Sequence, residues 1–275
     1  MPQRAPPAGC AGAATRSPAR FTHPISKSRL TELEPAARPA PPSRPPRLRR
    51  FLAPLFAALM LVLAGYHGLV LWQVWQLRTH NPDTTAFMRR GLERLQSSNP
   101  GTRLQHRWVT YEQISMHLKR AVIAAEDQRF LDHEGFDVEA IHEAYEKNAL
   151  RGRVRHGAST ISQQLAKNLF LTPQRTYLRK AQEAVMTLMV ERVLGKRRIL
   201  EVYLNVIEWG DGIYGAEAAA QHYYGKAAAE LEPEEAARLA AMIPNPRFYA
   251  LNPSTPYFEQ RTEILLSAME YVRVP

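Results

Sequence analysis

The chain has 275 residues, 45% of them apolar and 23% charged, enough for one substantial globular domain with extensions and short for two large ones. The net charge of +10 invites a nucleic-acid reading, but it is concentrated at one end: residues 1–50 hold 10 basic and 2 acidic side chains, the remainder 26 and 24. A nearly neutral body excludes the broad basic face that a long polyanion needs, and a single cysteine, Cys10, excludes a disulfide framework or a thiolate metal site within one chain.

Residues 1–46 contain 11 of the 21 prolines among Ala, Ser and Arg, with no apolar period. Such a segment buries too little surface to offset its chain entropy, so residues 1–50 are expected to form a disordered tail on the cytoplasmic side. From Phe51 to Trp75 the chain runs 25 residues without Asp, Glu, Lys or Arg. As a helix this run spans roughly 37 Å, enough for a bilayer core of about 30 Å. Arg44, Arg47, Arg49 and Arg50 precede it and Trp72 and Trp75 stand at its far end, a pattern that puts the amino terminus in the cytoplasm and everything after Gln76 outside. The apolar run is far longer than the core of a cleaved signal peptide, and no A-x-A site follows it, so an uncleaved anchor is the expectation.

Residues 76–107 are expected to connect this anchor to a folded domain over residues 108–275. The pattern there is helical. Ile114, Leu118, Val122 and Ala125 share one face; Val138, Ile141 and Tyr145 a second helix capped by Asp137; Ile161, Leu165 and Leu169 a third. Leu178, Ala181, Val185 and Leu188 mark a fourth, closed near Gly195, and Ile199, Leu200, Tyr203, Leu204 and Ile207 a fifth. Pro233 and Pro244 bracket a sixth. Regular strand alternation does not stand out, so the fold class is mainly α.

Three segments carry chemistry. Residues 126–137 place the Glu126-Asp127 pair at the end of an apolar helix, running into a glycine turn. A half-buried carboxyl there has a raised pKa and accepts protons well, although the segment alone reads more readily as a solvated acidic turn. Residues 157–168 set Ser159 and Thr160 before a helix, with a Thr160–Gln163 capping box and with Gln163 and Lys167 on one face; free N–H groups at such a start attract anions, and a well-capped surface helix is the bland alternative. Residues 147–198 carry 12 Lys or Arg against only Glu183 and Glu191. Within that stripe Arg179 and Lys180 reach Glu183 at helical spacing, a pairing that in isolation is a weak surface salt bridge. Among so many cations Glu183 should stay charged, and with Lys167 and Arg175 it outlines a pyrophosphate pocket.

Four segments together resemble one family. Glu126-Asp127-x-x-Phe130-x-x-His133-x-Gly135, Gly157-x-Ser159-Thr160-Ile161-x-Gln163-Gln164-Leu165-x-Lys167-Asn168, Arg179-Lys180-x-x-Glu183 and Lys196-x-x-Ile199-Leu200-x-x-Tyr203-Leu204-Asn205 are similar, in order and spacing, to successive motifs of glycosyltransferase family 51, the peptidoglycan polymerases that link lipid II units. The resemblance covers roughly residues 108–255, and the penicillin-binding signatures S-x-x-K and K-T-G are missing, as in the monofunctional biosynthetic branch.

The resemblance implies a lysozyme-like, two-lobed, mostly α domain resting on the bacterial inner membrane, in the periplasm, behind a single transmembrane helix. It implies that Glu126 is the general base on the acceptor's 4-hydroxyl, and that lipid II and the growing lipid-linked strand are the substrates. Lys167, Arg175, Arg179 and Lys180 become the pyrophosphate clamp, with Ser159, Thr160, Gln163, Gln164 and Asn168 positioning sugar or phosphate oxygens. Asp127, Phe130, His133 and Gly135 join the site as motif members. Glu183 matches the family's second glutamate, on the pyrophosphate side, and is the residue that would meet Mg²⁺ or another divalent ion; the sequence requires no cofactor. Proteins of cell-wall synthesis or division are the class of protein partner it admits, and nucleic acid is not expected. A glycan-cleaving enzyme of the same fold type would not need these cations, and a silent scaffold would not need both glutamates.

Overall fold

The computed structural model describes residues 47–151, 157–172, 174 and 176–275. By its contacts the chain divides into residues 1–50 and 51–275, and apart from the first four residues of α1, a helix that begins at Arg47, the second unit carries everything below.

Helix α1 (Arg47–Gln76) contains the apolar run, and from Phe51 to Gln76 it is long and apolar enough to cross a membrane, with a mean hydropathy of 2.0. Most of its side chains are exposed, but Val70, Val74 and the following Leu77 are buried, so its last turns dock on the domain. Arg198 fastens that end: Nε donates to the Leu77 carbonyl at 2.7 Å and Nη2 to the His80 carbonyl at 3.1 Å, holding the turn that follows the helix.

Residues 76–107 do more than connect. In α2 (Ala86–Ser98) the Thr85 hydroxyl accepts the Met88 N–H at 3.1 Å and Met88 is fully buried. Strand β1 (Gln105–His106) then pairs in parallel with β3 (Ile213–Tyr214), which pairs antiparallel with β2 (Glu208–Gly210). Two- and three-residue strands are too short for the alternation by which a strand is recognised.

The core is helical, as expected. Helix α3 (Met116–Glu126), capped by the Ser115 hydroxyl, buries Leu118, Ala121, Val122 and Ile123 and packs on α8 (Pro233–Met242) and α10 (Pro256–Ala268). Between these come α4 (Val138–Arg151), α5 (Ile161–Phe170), α6 (Tyr177–Val206), α7 (Ala216–Tyr224) and α9 (Pro246–Leu251). The two helices expected around Gly195 are one run broken at that residue, whose φ of +71° is a conformation that glycine adopts without strain. Beyond the break Ile199, Leu200, Tyr203 and Leu204 are completely buried.

Two expected core faces point outward. Val138, Ile141 and Tyr145 of α4 are exposed, as are Leu178, Ala181, Val185 and Leu188 of α6. The inward face of α6 is Glu183, Met186, Thr187 and Val190. Periodicity finds an apolar stripe but not what covers it, and here the stripe that packs inward carries a glutamate.

Candidate active site

Glu126 is the last residue of α3, and its side chain is 12% exposed. Gln164 Nε2 donates to its Oε2 at 2.6 Å, and Arg261 Nη2 stands 3.8 Å from Oε1. Burial pushes the carboxyl above its ordinary pKa, against the opposing pull of the Gln164 hydrogen bond and of the Arg261 and Lys167 charges. The end of a helix, where the dipole is negative, disfavours a carboxylate in the same sense. The result is a carboxyl suited to accept a proton, at the wall of a cleft of about 420 Å³ lined also by Asp127, Arg129, Gly157, Ser159 and Thr160.

The residues around Glu126 are mostly engaged with one another. Asp127 is buried; Oδ1 accepts from His133 Nε2 at 2.9 Å and Oδ2 from the Ile161 N–H at 3.0 Å. His133 Nδ1 in turn accepts the Gly135 N–H at 3.1 Å, a pattern that assigns the imidazole proton to Nε2. Thr160 donates its hydroxyl proton to the Gly135 carbonyl at 2.7 Å and caps α5, with Gln163 closing the box. Gly135 has φ +93°, and a Cβ there would lie 2.9 Å from Thr187 Cγ2, so glycine is needed on both counts. Phe130 is fully buried beneath the Lys196 ammonium, 4.6 Å from its ring centroid. Ser159 is exposed on the cleft.

Lys167 stands on α5 one turn beyond Gln163. Among the described residues it has no carboxylate within 4 Å, and it senses both glutamates: burial lowers its pKa most, Glu183 and Glu126 pull it up, and Arg179 and Lys180 push it down. Glu183 is only 3% exposed, which removes it from the class of surface salt bridges expected of its spacing. Its Oε2 accepts from Arg179 Nη1 at 2.7 Å and its Oε1 from Lys180 Nζ. Arg179 Nε is buried without a partner, and the same side chain lines a recess of about 260 Å³ with Thr172, Thr176, Gln182 and Tyr66 of α1. Three cations around one carboxylate leave this cluster net positive. Asn168 is buried on α5. Arg175 lies outside the described residues.

The donor set at Glu183 does not fit a protein-held divalent ion. Both its carboxylate oxygens are taken by cations, and the described residues hold no group of three or more His, Cys, Asp or Glu arranged to bind a metal.

Two further residues reach the site. Arg261, on α10, also donates through Nη2 to the Ala125 carbonyl at 3.4 Å, and its Nε is buried without a partner. The hydroxyl of Tyr203, on α6, donates to Gln164 Oε1 at 2.9 Å. The only local signal for either was the Tyr203 position within the fourth motif.

The Transglycosylase family model matches residues 93–270, close to two thirds of the chain. The chain belongs to the transglycosylase family. This transglycosylase is 63% identical over 194 residues, 68% of its own length and 84% of the relative's, to the biosynthetic peptidoglycan transglycosylase of an Azoarcus species. It is 52% identical to the protein of that description from Nitrosospira multiformis, over 82% of this chain and 99% of the other. The corresponding protein of Dechloromonas aromatica is 55% identical over 79% of this chain and 97% of the other. As a transglycosylase it has the lysozyme-like helical domain of that family.

Proposed function

We propose that the protein is a peptidoglycan glycosyltransferase that polymerises lipid II into β-1,4-linked glycan strands, with Glu126 as the general base. The observation that carries this reading is the placement of a buried carboxyl of raised pKa at the wall of a cleft, within electrostatic reach of Lys167, which also senses the Glu183 cluster. A base is thereby set apart from a cationic clamp but coupled to it.

The steps follow from that division. Glu126 takes the proton from the acceptor's GlcNAc 4-hydroxyl while O4 forms a bond to the donor's MurNAc anomeric carbon. The bond from that carbon to the pyrophosphate breaks on the opposite face, its electron pair leaving with undecaprenyl pyrophosphate, so the α-linked donor becomes a β-linkage. The leaving group needs charge stabilisation more than a proton. Lys167, Lys180 and Arg179 supply it here, and Arg175 joins them as a further cation of the same basic stretch. Glu183 holds Arg179 and Lys180 in place. Asp127, His133, Gly135, Thr160 and Gln163 build the wall that carries Glu126 and α5, and Ser159 and Asn168 offer polar contacts to the sugars.

The chain is membrane-associated: one helix near its amino terminus is apolar and long enough to span, and the family builds cell wall from lipid-linked precursors. The arginines before Phe51 favour a cytoplasmic amino terminus and a periplasmic domain at the inner membrane, alongside proteins of cell-wall synthesis or division. The exposed apolar stripes of α4 and α6 suit contact with that lipid surface. Incubating the full chain in detergent with lipid II tests the reading. Glycan polymer is the expected product; release of soluble muropeptides from preformed glycan, without polymer from lipid II, would identify a cleaving enzyme instead.

A further inference from the structure

We propose that Tyr203 and Gln164 are positioning residues for this reaction, a two-bond relay that commits Glu126 Oε2 and leaves Oε1 as the atom that receives the acceptor's proton. The inference rests on Glu126 being the base.

The Tyr203 side chain is fully buried, and its hydroxyl donates to Gln164 Oε1 at 2.9 Å; Gln164 Nε2 donates to Glu126 Oε2 at 2.6 Å. An amide can be turned either way, but an ionised carboxylate only accepts. The NH₂ must therefore face Glu126, the amide carbonyl must face Tyr203, and Tyr203 must donate. The relay has one polarity, set by the charge at its end. Turning the amide over would bring two oxygens together at the distance of the present hydrogen bond, and burial disfavours leaving either unpaired.

The two carboxylate oxygens are consequently unlike. Oε2 is occupied, whereas among the described residues nothing donates to Oε1: Arg261 Nη2, at 3.8 Å, is beyond hydrogen-bond range. Oε1 keeps its lone pairs for the incoming hydroxyl. When Oε1 is protonated Oε2 still accepts from Gln164, so no amide need turn during turnover and the site stays preorganised. Gln164, expected to hold a sugar or phosphate oxygen, acts instead through the base.

The test is the pH dependence of lipid II polymerisation by the full chain in detergent, for Tyr203→Phe, Gln164→Met, their double variant and Glu126→Gln. Loosening the Gln164 amide, by removing the hydroxyl that holds its carbonyl, or losing it altogether weakens donation to the carboxylate and makes protonation easier. Tyr203→Phe should therefore move the acid limb of kcat/KM up by ~0.5 pH or more and lower kcat roughly 3- to 10-fold, with KM unchanged. Gln164→Met should shift the limb the same way, and adding Tyr203→Phe to it should change nothing further, because one relay is already cut. A Tyr203→Phe profile that overlays the parent, or effects that multiply in the double variant, would overturn the relay. If Tyr203→Phe melts before assay, Gln164→Met carries the same test alone, and an unmoved acid limb there is equally fatal. Normal polymerisation by Glu126→Gln would instead remove the base assignment itself, which separates the two failures.

Discussion

Asp127 Oδ2 accepts the backbone N–H of Ile161 at 3.0 Å, so the residue next to Glu126 is also the clasp on the first turn of α5, the helix that carries Gln164 and Lys167. The other oxygen of Asp127 holds His133, and His133 holds Gly135. One buried carboxylate thus fixes the distance between the α3 end of the site and its cationic side.

Asp127→Ala should therefore act on stability and turnover together. It leaves the Ile161 N–H and the His133 Nε2–H without a partner in a buried setting, at a cost of about 2 to 3 kcal/mol. Thermal unfolding in detergent should show a lower Tm, and polymerisation should fall because α5 is no longer held. An unchanged Tm would show that the clasp contributes nothing.

Arg179→Ala should destabilise more than its i,i+4 spacing suggests. Glu183 is buried, and removing the Arg179 Nη1 hydrogen bond to its Oε2 costs about 3 kcal/mol where an exposed pair costs a few tenths. The double variant Arg179→Met, Glu183→Gln should recover much of that stability and none of the turnover, because the clamp is gone. Recovery of turnover as well would make the pair a structural feature only.

Lys167 should set the alkaline limb of the rate profile. It must be charged to stabilise a departing pyrophosphate, and burial lowers its pKa, so activity should fall with rising pH at a midpoint below the ordinary lysine value. A guanidinium stays charged throughout, so Lys167→Arg should lose some turnover but push that limb to higher pH. An alkaline limb unmoved by this substitution would assign it to another group.

Much of this site could be read locally. The Thr160–Gln163 capping box, the Asp137 cap and the end of α3 at Glu126 all rest on interactions spanning a few residues, and each stands in the structure where spacing put it. Arg261 was not legible, because its approach to Glu126 joins residues 135 positions apart on helices with no shared pattern. Tyr203 sits in an apolar stripe and looks like core until its hydroxyl is seen to meet Gln164. The outward stripes of α4 and α6 misled in the other direction: spacing alone cannot distinguish a face covered by protein from one turned to its surroundings.

Single-turnover polymerisation of lipid II by the parent and by Glu126→Gln across pH tests Glu126 as the proton acceptor most directly. The parent should show a rate that rises with pH through a midpoint above the ordinary carboxylate range, since burial raises that pKa and only the ionised form accepts the proton. Glu126→Gln should be slower by on the order of 10² or more, without the acid limb and with the parent's fold by circular dichroism. A folded Glu126→Gln that polymerises at close to the parent rate with the parent's pH profile would contradict it.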